Sequence, residues 1–216
     1  MCSSDLVVGL KYDTRHMETV KPGFKFPSKK EETRSRILRA AARAIRKHGY
    51  EGVGVADVMK EAGLTHGAFY AHFKSRDALL AAAAEQAGTE SNERLSRAIA
   101  SAKPGQELTA LVDSYLSERH LTAPEEGLGC AIAAAGSEVP RQQPEVRRAA
   151  GRRVKELIGL VERQFPDWGK GAAHEKAMAI TATMVGALVL ARAVDEPTLS
   201  SSIRKAAREL VRSAGG

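Results

Sequence analysis

The sequence has few aromatic residues and few cysteines, and it lacks the motifs that mark common enzyme classes. Aromatic side chains make up 5% of the 216 residues, and the two cysteines, Cys2 and Cys130, lie in neither a CxxC nor a zinc-binding spacing. HExxH, Walker A, GxGxxG and GxSxG motifs are missing from it. We therefore predict a reduced cytoplasmic protein that is not an enzyme and uses no metal or cofactor.

Membrane and strand signals are also scarce. The longest apolar run, Met178 to Val194, is interrupted by Thr181, Thr183 and Arg192, which makes it too short and too polar for a membrane span. No basic region followed by an apolar stretch indicates a secretory signal. Alternating β-branched runs are few, whereas alanine is abundant and apolar residues recur at helical spacing. The sequence therefore predicts an all-α fold without a membrane partner.

The net charge of +7 is concentrated toward the N-terminal third. Residues 29–87 contain 11 Lys and Arg against 7 Asp and Glu, whereas residues 88–216 contain 18 against 16. A basic surplus in one region favours a polyanionic partner there. Many cytoplasmic proteins carry such a charge without one, so the charge needs support from a motif.

Residues 1–28 differ from the rest of the chain. They show no apolar periodicity and contain Pro22 and Pro27, so we predict a disordered arm. We also hypothesise that the extreme N-terminus is an artefact of gene assembly and that Met17 is the true start. A genuine flexible tail is the alternative.

A first helix is predicted from Glu31, with Thr33 near its N-cap and Gly49 at its end. Apolar residues share one of its faces: Ile37, Leu38, Ala41, Ala42 and Ile45. Arginines are predicted to cover the rest: Arg36, Arg39, Arg43 and Arg46. This helix would pack on whatever follows it while presenting positive charge to solvent.

The stretch "VADVMKEAGLTHGAFYAHF" has the pattern of a helix-turn-helix. A short helix from Val55 to Ala62 is followed by a break at Gly63, and Thr65 is placed as the N-cap of a second helix that ends near Phe73. A fourth, long helix then begins around Ser75 and Asp77. Such a motif typically places its second helix in the major groove of DNA.

The second helix of the motif concentrates the aromatic residues on distinct faces. At about 100° per residue, Phe69 and Phe73 share a face that we predict to be core. The outer face, Gly67, Ala68, Ala71 and Lys74, is small enough to approach base edges. Tyr70 and His72 lie on the flanks, where they can bond phosphates. Packing within the three-helix unit is the alternative for both.

These residues resemble a known family. "AGLTHGAFYAHFKSRDALL" is similar to the recognition-helix signature of the TetR family of bacterial transcriptional regulators, and the resemblance spans about residues 31–80. It implies a DNA-binding homodimer whose two heads enter adjacent major grooves. By that pattern the following residues would face DNA: Thr65, His66, Gly67, Ala68, Tyr70, Ala71, His72 and Lys74. Thr33 and Arg36 would reach the DNA backbone.

Family members usually carry larger or more polar residues at some positions held here by Ala68 and Ala71, so recognition of DNA shape gains importance over direct contacts with bases.

The resemblance divides the chain into a helix-turn-helix head, 29–80, and a helical effector-binding and dimerisation body, 81–216. Helices are predicted in the body over 107–121, 130–139, 144–165, 172–194 and 198–213. The last two have small, apolar faces suited to a four-helix interface across a two-fold axis, although they could instead close the monomer core.

Candidate effector residues in the body include Cys130 at a glycine-rich helix start, where a thiolate would be stabilised. We expect it either to sense oxidants or electrophiles or simply to pack in the core. Polar and aromatic pocket candidates are Tyr115, His120, Trp168 and His174, each of which could equally be ordinary surface or loop structure.

The sequence thus favours a ligand-responsive repressor whose homodimer binds a palindromic operator on double-stranded DNA. A small molecule or electrophile would release it by shifting helix four. An enzyme in the helical body and an adaptor whose head binds protein are the alternatives. Neither the effector nor the operator can be named from sequence.

Overall fold

A computed structural model describes residues 27–122 and 129–215 of the chain. All regular structure in these two segments is helical, which confirms the predicted all-α class. Most of the predicted N-terminal arm, including Cys2 and Met17, lies outside the described residues, as does the centre of the predicted loop 122–129.

The first helix, α1, spans Lys29–His48 and begins two residues earlier than predicted. Its N-cap is Ser28, not the neighbourhood of Thr33: the Ser28 hydroxyl accepts from the Glu31 N–H, and the Glu31 carboxylate accepts from the Ser28 N–H at 2.7 Å. This reciprocal pair is a capping box, which satisfies two otherwise unpaired donors. Gly49 ends the helix with a φ of 73°, as its position in sequence indicated.

The helix-turn-helix follows with one change in helix type. Helix α2 spans Val55–Glu61, and Gly63 turns the chain with a φ of 69°. The recognition helix, His66–Ala71, is a short 3₁₀ helix, and the Thr65 side chain makes no capping bond to it. The predicted α-helix to Phe73 is therefore wrong, because the segment is wound more tightly, at about 120° per residue. Helix α3, Arg76–Ala100, begins at its cap Ser75 and is the long fourth helix of the prediction.

One hydrophobic core joins these elements. Ile37, Met59, Phe69, Phe73 and Leu80 are all buried in it, as the periodicity predicted for the two phenylalanines. Ala135, Val146 and Ala149, which come from later helices, complete this core. The head is thus packed directly on the rest of the molecule.

The body consists of further helices with boundaries partly different from those expected. They are α4 Glu107–Tyr115, α5 Glu118–Thr122, α6 Ala131–Ala135, α7 Pro144–Glu162, α8 Gly171–Ala193 and α9 Pro197–Gly215. The predicted helix 107–121 is two helices, since α4 stops at Leu116. The predicted helix 130–139 is only α6 followed by a 3₁₀ helix, Gly136–Arg141, that contains Pro140.

A second core joins α3 to the body helices. Leu95 of α3 packs with Leu111 of α4, Val161 of α7 and Met184 of α8. Hydrogen bonds connect α9 to the C-terminal end of α4: Arg204 and Arg208 of α9 both donate to the Leu116 carbonyl oxygen. Since α3 contributes to both cores, it is the structural link between head and body.

Helix α8 is, by length and composition alone, apolar enough to cross a membrane. Core helices of soluble proteins pass the same test, and α8 packs between α7 and α9 here. Its outward residues Met178, Val189 and Leu190 are exposed in this single chain.

Candidate nucleic-acid interface and effector cavity

The recognition helix presents a large aromatic side chain to solvent. Tyr70 is 71% exposed, whereas its neighbour Phe69 is 2% exposed in the core. The two rings meet edge to face with centroids 5.2 Å apart, and His66 approaches Tyr70 edge to face at 6.5 Å. An exposed phenol supported by a buried ring is held in place for contact with a partner.

Most of the other predicted DNA-facing residues on this segment are also solvent-accessible. Thr65, His66, Gly67, Ala71 and Lys74 are exposed. Ala68 differs from the prediction: it is half-buried and packs against the head core. The tighter 3₁₀ winding moves it off the outer face that an α-helical wheel assigned to it.

His72 is half-buried, with its Nδ1 atom enclosed and without a hydrogen-bond partner among the described residues. The contact of His72 with a DNA phosphate stays a prediction. Because Nδ1 is enclosed, only Nε2 of the ring could make that contact.

Helix α1 carries a second group of candidates. Arg36 is exposed, and Thr33 is half-buried with its hydroxyl donating to the Lys29 carbonyl at 2.8 Å. Arg34, which the sequence reasoning missed, places its guanidinium 4.7 Å from the centroid of the Phe73 ring. Helical periodicity could not reveal this contact, because it joins residues from two elements.

Another arginine, Arg76, connects two parts of the head. Arg76, at the start of α3, donates to the carbonyl oxygens of Tyr50 at 2.6 Å and Val53 at 3.1 Å. These bonds fix the turn between α1 and α2 relative to the long helix that enters the body. Arg43 of α1 also pairs with Glu61 at the end of α2, at 2.6 Å.

The body contains an apolar cavity of about 230 Å³ between α3, α6, the 3₁₀ helix Gly136–Arg141 and α7. Ala87, Ile132, Val139 and Leu157 give it a largely apolar lining, and Cys130 forms part of its wall. A concave apolar site with few polar groups is typical of small-molecule binding. Cys130 itself is only 4% exposed and precedes a helix of five residues.

Two connections link the wall of this cavity to the head. Tyr50, in the turn after α1, lines the cavity directly. Glu138, in the 3₁₀ helix of the wall, accepts from the Glu51 N–H at 2.9 Å, and Arg141 pairs with the Glu51 carboxylate at 3.3 Å. Burial, with the Glu138 charge nearby, raises the pKa of Tyr50 to about 12, so its hydroxyl stays protonated.

The other four predicted effector residues do not line this cavity. Trp168 is 61% exposed, and His174 is exposed and paired with Glu162 at 2.8 Å, so neither is the pocket contact that the sequence suggested. Both residues come after α7 in sequence and lie at the surface. From sequence alone, an aromatic residue that lies at the surface there cannot be distinguished from one that lines a pocket. Tyr115 and His120 are fully buried beside the cavity, and their rings meet edge to face at 4.8 Å.

Arg46 also differs from its predicted place on the solvent face of α1. It is 3% exposed and donates to the Ala87 carbonyl at 2.9 Å and to Glu90 of α3 at 2.7 Å. Its Nε donates to the Gly129 carbonyl, directly before Cys130. A helical wheel could not show this, because the partners belong to the other helices that cover the end of α1.

A compact helix-turn-helix with an exposed recognition helix, set on a helical body with a cavity, defines a DNA-binding transcriptional regulator. Residues 37–83 match the model of the bacterial regulatory proteins of the tetR family. The chain is 32% identical over 188 residues to an uncharacterized HTH-type transcriptional regulator of Mycobacterium tuberculosis, covering 82% of this chain and 93% of that protein. The chain belongs to the TetR family of transcriptional regulators.

Solved structures share the fold over most of the chain. A TetR transcriptional regulator from Chloroflexus aurantiacus is 26% identical, with a TM-score of 0.70 over 85% of this chain and 96% of that one. The reduced form of Escherichia coli NemR is 20% identical, with a TM-score of 0.70 over 84% of this chain and 96% of that chain. Both place the head and the body in one common architecture.

Proposed function

We propose that this regulator is a repressor whose homodimer binds a palindromic operator in the cytoplasm and is released by a small molecule that enters the cavity. It performs no catalysis in this proposal. The observation that carries it is the shared wall of the cavity and the head: Tyr50 lines the cavity, and Glu138 of its wall bonds the Glu51 backbone. An occupant that displaces this wall must also displace the turn that supports α2 and the recognition helix.

The residues proposed to contact DNA come from α1 and the recognition-helix segment of the head, 29–80. Tyr70, His66 and Ala71 would meet base edges, whereas Lys74, Thr65 and Arg36 would meet phosphates. Gly67 supports a close approach, since a Cβ atom built there meets nothing within 4 Å. Because Ala68 is partly covered by the core, fewer direct base contacts remain, and DNA shape gains weight in recognition.

The proposed dimer interface lies on α8 and α9 of the body, 81–216. Leu190 and Leu210 are 57% and 58% exposed, and Met178, Val189 and Leu199 are also exposed on these two helices. Burying these side chains against a second copy would remove apolar surface from water and place two heads on one DNA face. Two half-sites one helical turn apart then require this dimer.

DNA binding is tested by fluorescence anisotropy with DNA flanking the gene, across a salt series, together with sedimentation to measure the oligomeric state. We expect a dimer to bind selectively to one DNA sequence, and we expect this binding to weaken steeply as salt rises, because counterions are released from the phosphates.

Tyr70→Ala should weaken selective binding by about tenfold or more. Trp168→Ala removes an equally exposed aromatic from the body and should leave binding unchanged. Equal, weak binding to every sequence would contradict the proposal.

Release is tested without a known effector by filling the cavity. Gly151 of α7 lines it, and a Cβ atom built there meets nothing within 4 Å, so Gly151→Met would extend into the space where an effector binds. We expect this variant to fold and dimerise while binding the operator at least tenfold more weakly. Gly159→Met, on the same helix but outside the cavity, is the matched control. Operator affinity unchanged in Gly151→Met would show that the cavity does not control the head.

A further inference from the structure

A cluster of charged and polar side chains lies buried where α1, α3, α4, α5 and α8 meet. This polar cluster comprises Arg46, Arg94, Tyr115, His120 and Arg192. Tyr115 is fully buried and His120 is 2% exposed. The rings of Tyr115 and His120 meet at 4.8 Å, and Arg192 donates to the His120 carbonyl at 3.1 Å. The charge of Arg94 acts on both rings, and the charge of Arg46 acts on Arg94.

Several polar atoms of the cluster have no hydrogen-bond partner within the two described segments. They are Tyr115 Oη, His120 Nε2, Arg94 Nε and Arg46 Nη1. A buried polar group without a partner costs about 1–3 kcal/mol, and more when it is charged. Two of the four nevertheless have close polar neighbours, since Tyr115 Oη lies against the Cys130 thiol and the His120 ring lies against the Gly129 carbonyl. Arg94 and Arg46 are therefore the members that a further molecule would satisfy.

The charges of the cluster are also unbalanced. Arg46 is paired with Glu90, whereas within the described segments Arg94 donates a hydrogen bond to the Ser91 hydroxyl at 3.4 Å, and Arg192 donates to the backbone carbonyls of His120 and Leu121. Burial and the neighbouring Arg46 lower the pKa of Arg94, and burial lowers that of Arg192. Arg94 and Arg192 are half-buried guanidinium groups without a carboxylate partner among the described residues, and an anion placed between them would stabilise their charge.

The cluster adjoins the effector cavity through two residues. Ser91, which Arg94 contacts, lines the cavity, and so does Cys130, which lies beside Tyr115. The cavity lining is largely apolar, and of its two arginines Arg147 is exposed and Arg153 is already paired with Glu85 at 2.8 Å. A molecule that reaches from the cavity to the polar cluster therefore needs an apolar body and an anionic end. At about 230 Å³ the cavity suits a small molecule.

We propose that the effector is a small organic carboxylate whose apolar body fills the cavity and whose carboxylate is bound by Arg94 and the Tyr115 hydroxyl. This inference rests on the proposed function, since it names the ligand class of the same cavity. The Arg94 guanidinium and the Tyr115 O–H are donors, as a carboxylate requires. Cys130 then contacts the ligand at the junction of apolar body and charged end.

His120 plays a different part in this site. Burial, followed by the Arg94 charge, lowers the pKa of His120 to about 3, so the ring is neutral. Its Nδ1 lies against the Tyr115 carbonyl and must donate to it, which leaves Nε2 as an acceptor. His120 therefore orients Tyr115 and does not itself bind the anion.

The test is isothermal titration of the full-length protein with matched probe pairs of equal size: octanoate against octanamide, and benzoate against benzamide. We expect at least one carboxylate to bind ten times or more as tightly as its amide. Arg94→Gln should weaken carboxylate binding at least tenfold and remove the preference over the amide. Arg97→Gln, one turn away on the exposed face of α3, should change neither.

Tyr115→Phe gives a second readout. Among the described residues the Tyr115 hydroxyl has only the thiol of Cys130, a weak acceptor, beside it, so its removal should change the thermal midpoint little while weakening carboxylate binding at least fivefold. A loss of stability without a loss of affinity would identify a packing role and overturn the assignment. Retention of carboxylate preference by both variants would overturn it as well.

Binding of neither probe pair, or equal binding of acid and amide, overturns the carboxylate class. Operator binding is measured separately by anisotropy. If the protein reads DNA and no probe binds, only this inference fails; if carboxylates bind and no operator is found, the regulator proposal fails instead.

Discussion

The head and the body differ in how many of their buried polar groups have hydrogen-bond partners. In the head, Ser28 and Ser75 cap the N-termini of α1 and α3, and Arg76 satisfies the carbonyls of the turn beside it, although α2 and the recognition helix begin without a side-chain cap. In the body, α4, α7 and α8 begin without a side-chain cap, and buried polar atoms of Tyr115 and His120 are unpaired in the described residues. Among the described residues, two buried side-chain atoms of the head lack a hydrogen-bond partner, Arg46 Nη1 and His72 Nδ1, against six in the body. The body therefore leaves more polar groups that a ligand can satisfy.

The largest effect is expected where the head core is broken. Phe69→Ala removes a ring that is 2% exposed and should lower the free energy of unfolding by about 3–5 kcal/mol, because it leaves a cavity. Urea denaturation monitored by circular dichroism measures it. Tyr70→Ala, the exposed neighbour, should change stability by about 0.5 kcal/mol or less. Similar losses for the two variants would contradict the assignment of one ring to core and the other to solvent.

Arg46→Met breaks the connection between head and body. It removes the bonds to Glu90, Ala87 and Gly129 and should lower the free energy of unfolding by about 3 kcal/mol, since Glu90 loses its counter-charge. Adding Glu90→Gln should restore part of this loss, which a double-mutant cycle in urea measures. Strict additivity of the two changes would show that the pair is not coupled.

His120 makes the stability of the body depend on pH. Its pKa falls from 6.5 in the unfolded chain to about 3 on folding, so its contribution is complete above pH 6.5 and is lost as pH falls toward 3. At about 1.4 kcal/mol per pH unit, stability should drop by about 2 kcal/mol between pH 7.5 and 5. Urea denaturation at several pH values measures the slope.

The carboxylates with lowered pKa values, Glu31 and Glu162, stabilise the fold above pH 4.5 and lose that contribution only as the pH falls below it, so they add little to the slope between pH 7.5 and 5. His120→Gln should flatten the slope between pH 7.5 and 5. An unchanged slope in that variant would assign the dependence to another group.

The smallest effect is expected at the N-terminal cap of α1, where the head begins. Ser28→Ala removes the capping hydroxyl of α1 and should lower stability by about 1 kcal/mol. Thr33→Val removes a hydroxyl that bonds within the helix, and it should cost less, although sequence placed the cap near it. Thermal denaturation of the two variants separates them, and a greater loss for Thr33→Val would reverse the assignment.

Much of the head could be predicted because its determinants are local. The Gly49 and Gly63 turns, the four-residue spacing of Phe69 and Phe73 and the apolar face of α1 all act within a few residues. The recognition helix was placed correctly along the chain, but its 3₁₀ winding was not foreseen, and with it the turn of Ala68 toward the core. Winding of a six-residue helix is decided by the packing around it and not by propensity.

The sequence by itself determined that this chain is all-helical, where its helix-turn-helix lies and which phenylalanines enter the core, because periodicity and glycine turns are read over one or two helical turns. Only the tertiary structure decided that Arg46 is buried, that Trp168 and His174 stay at the surface, and that Arg94, Tyr115 and Cys130 meet beside one cavity. These residues come from different helices tens of positions apart. Their proximity follows from how the helices pack, which no local pattern records.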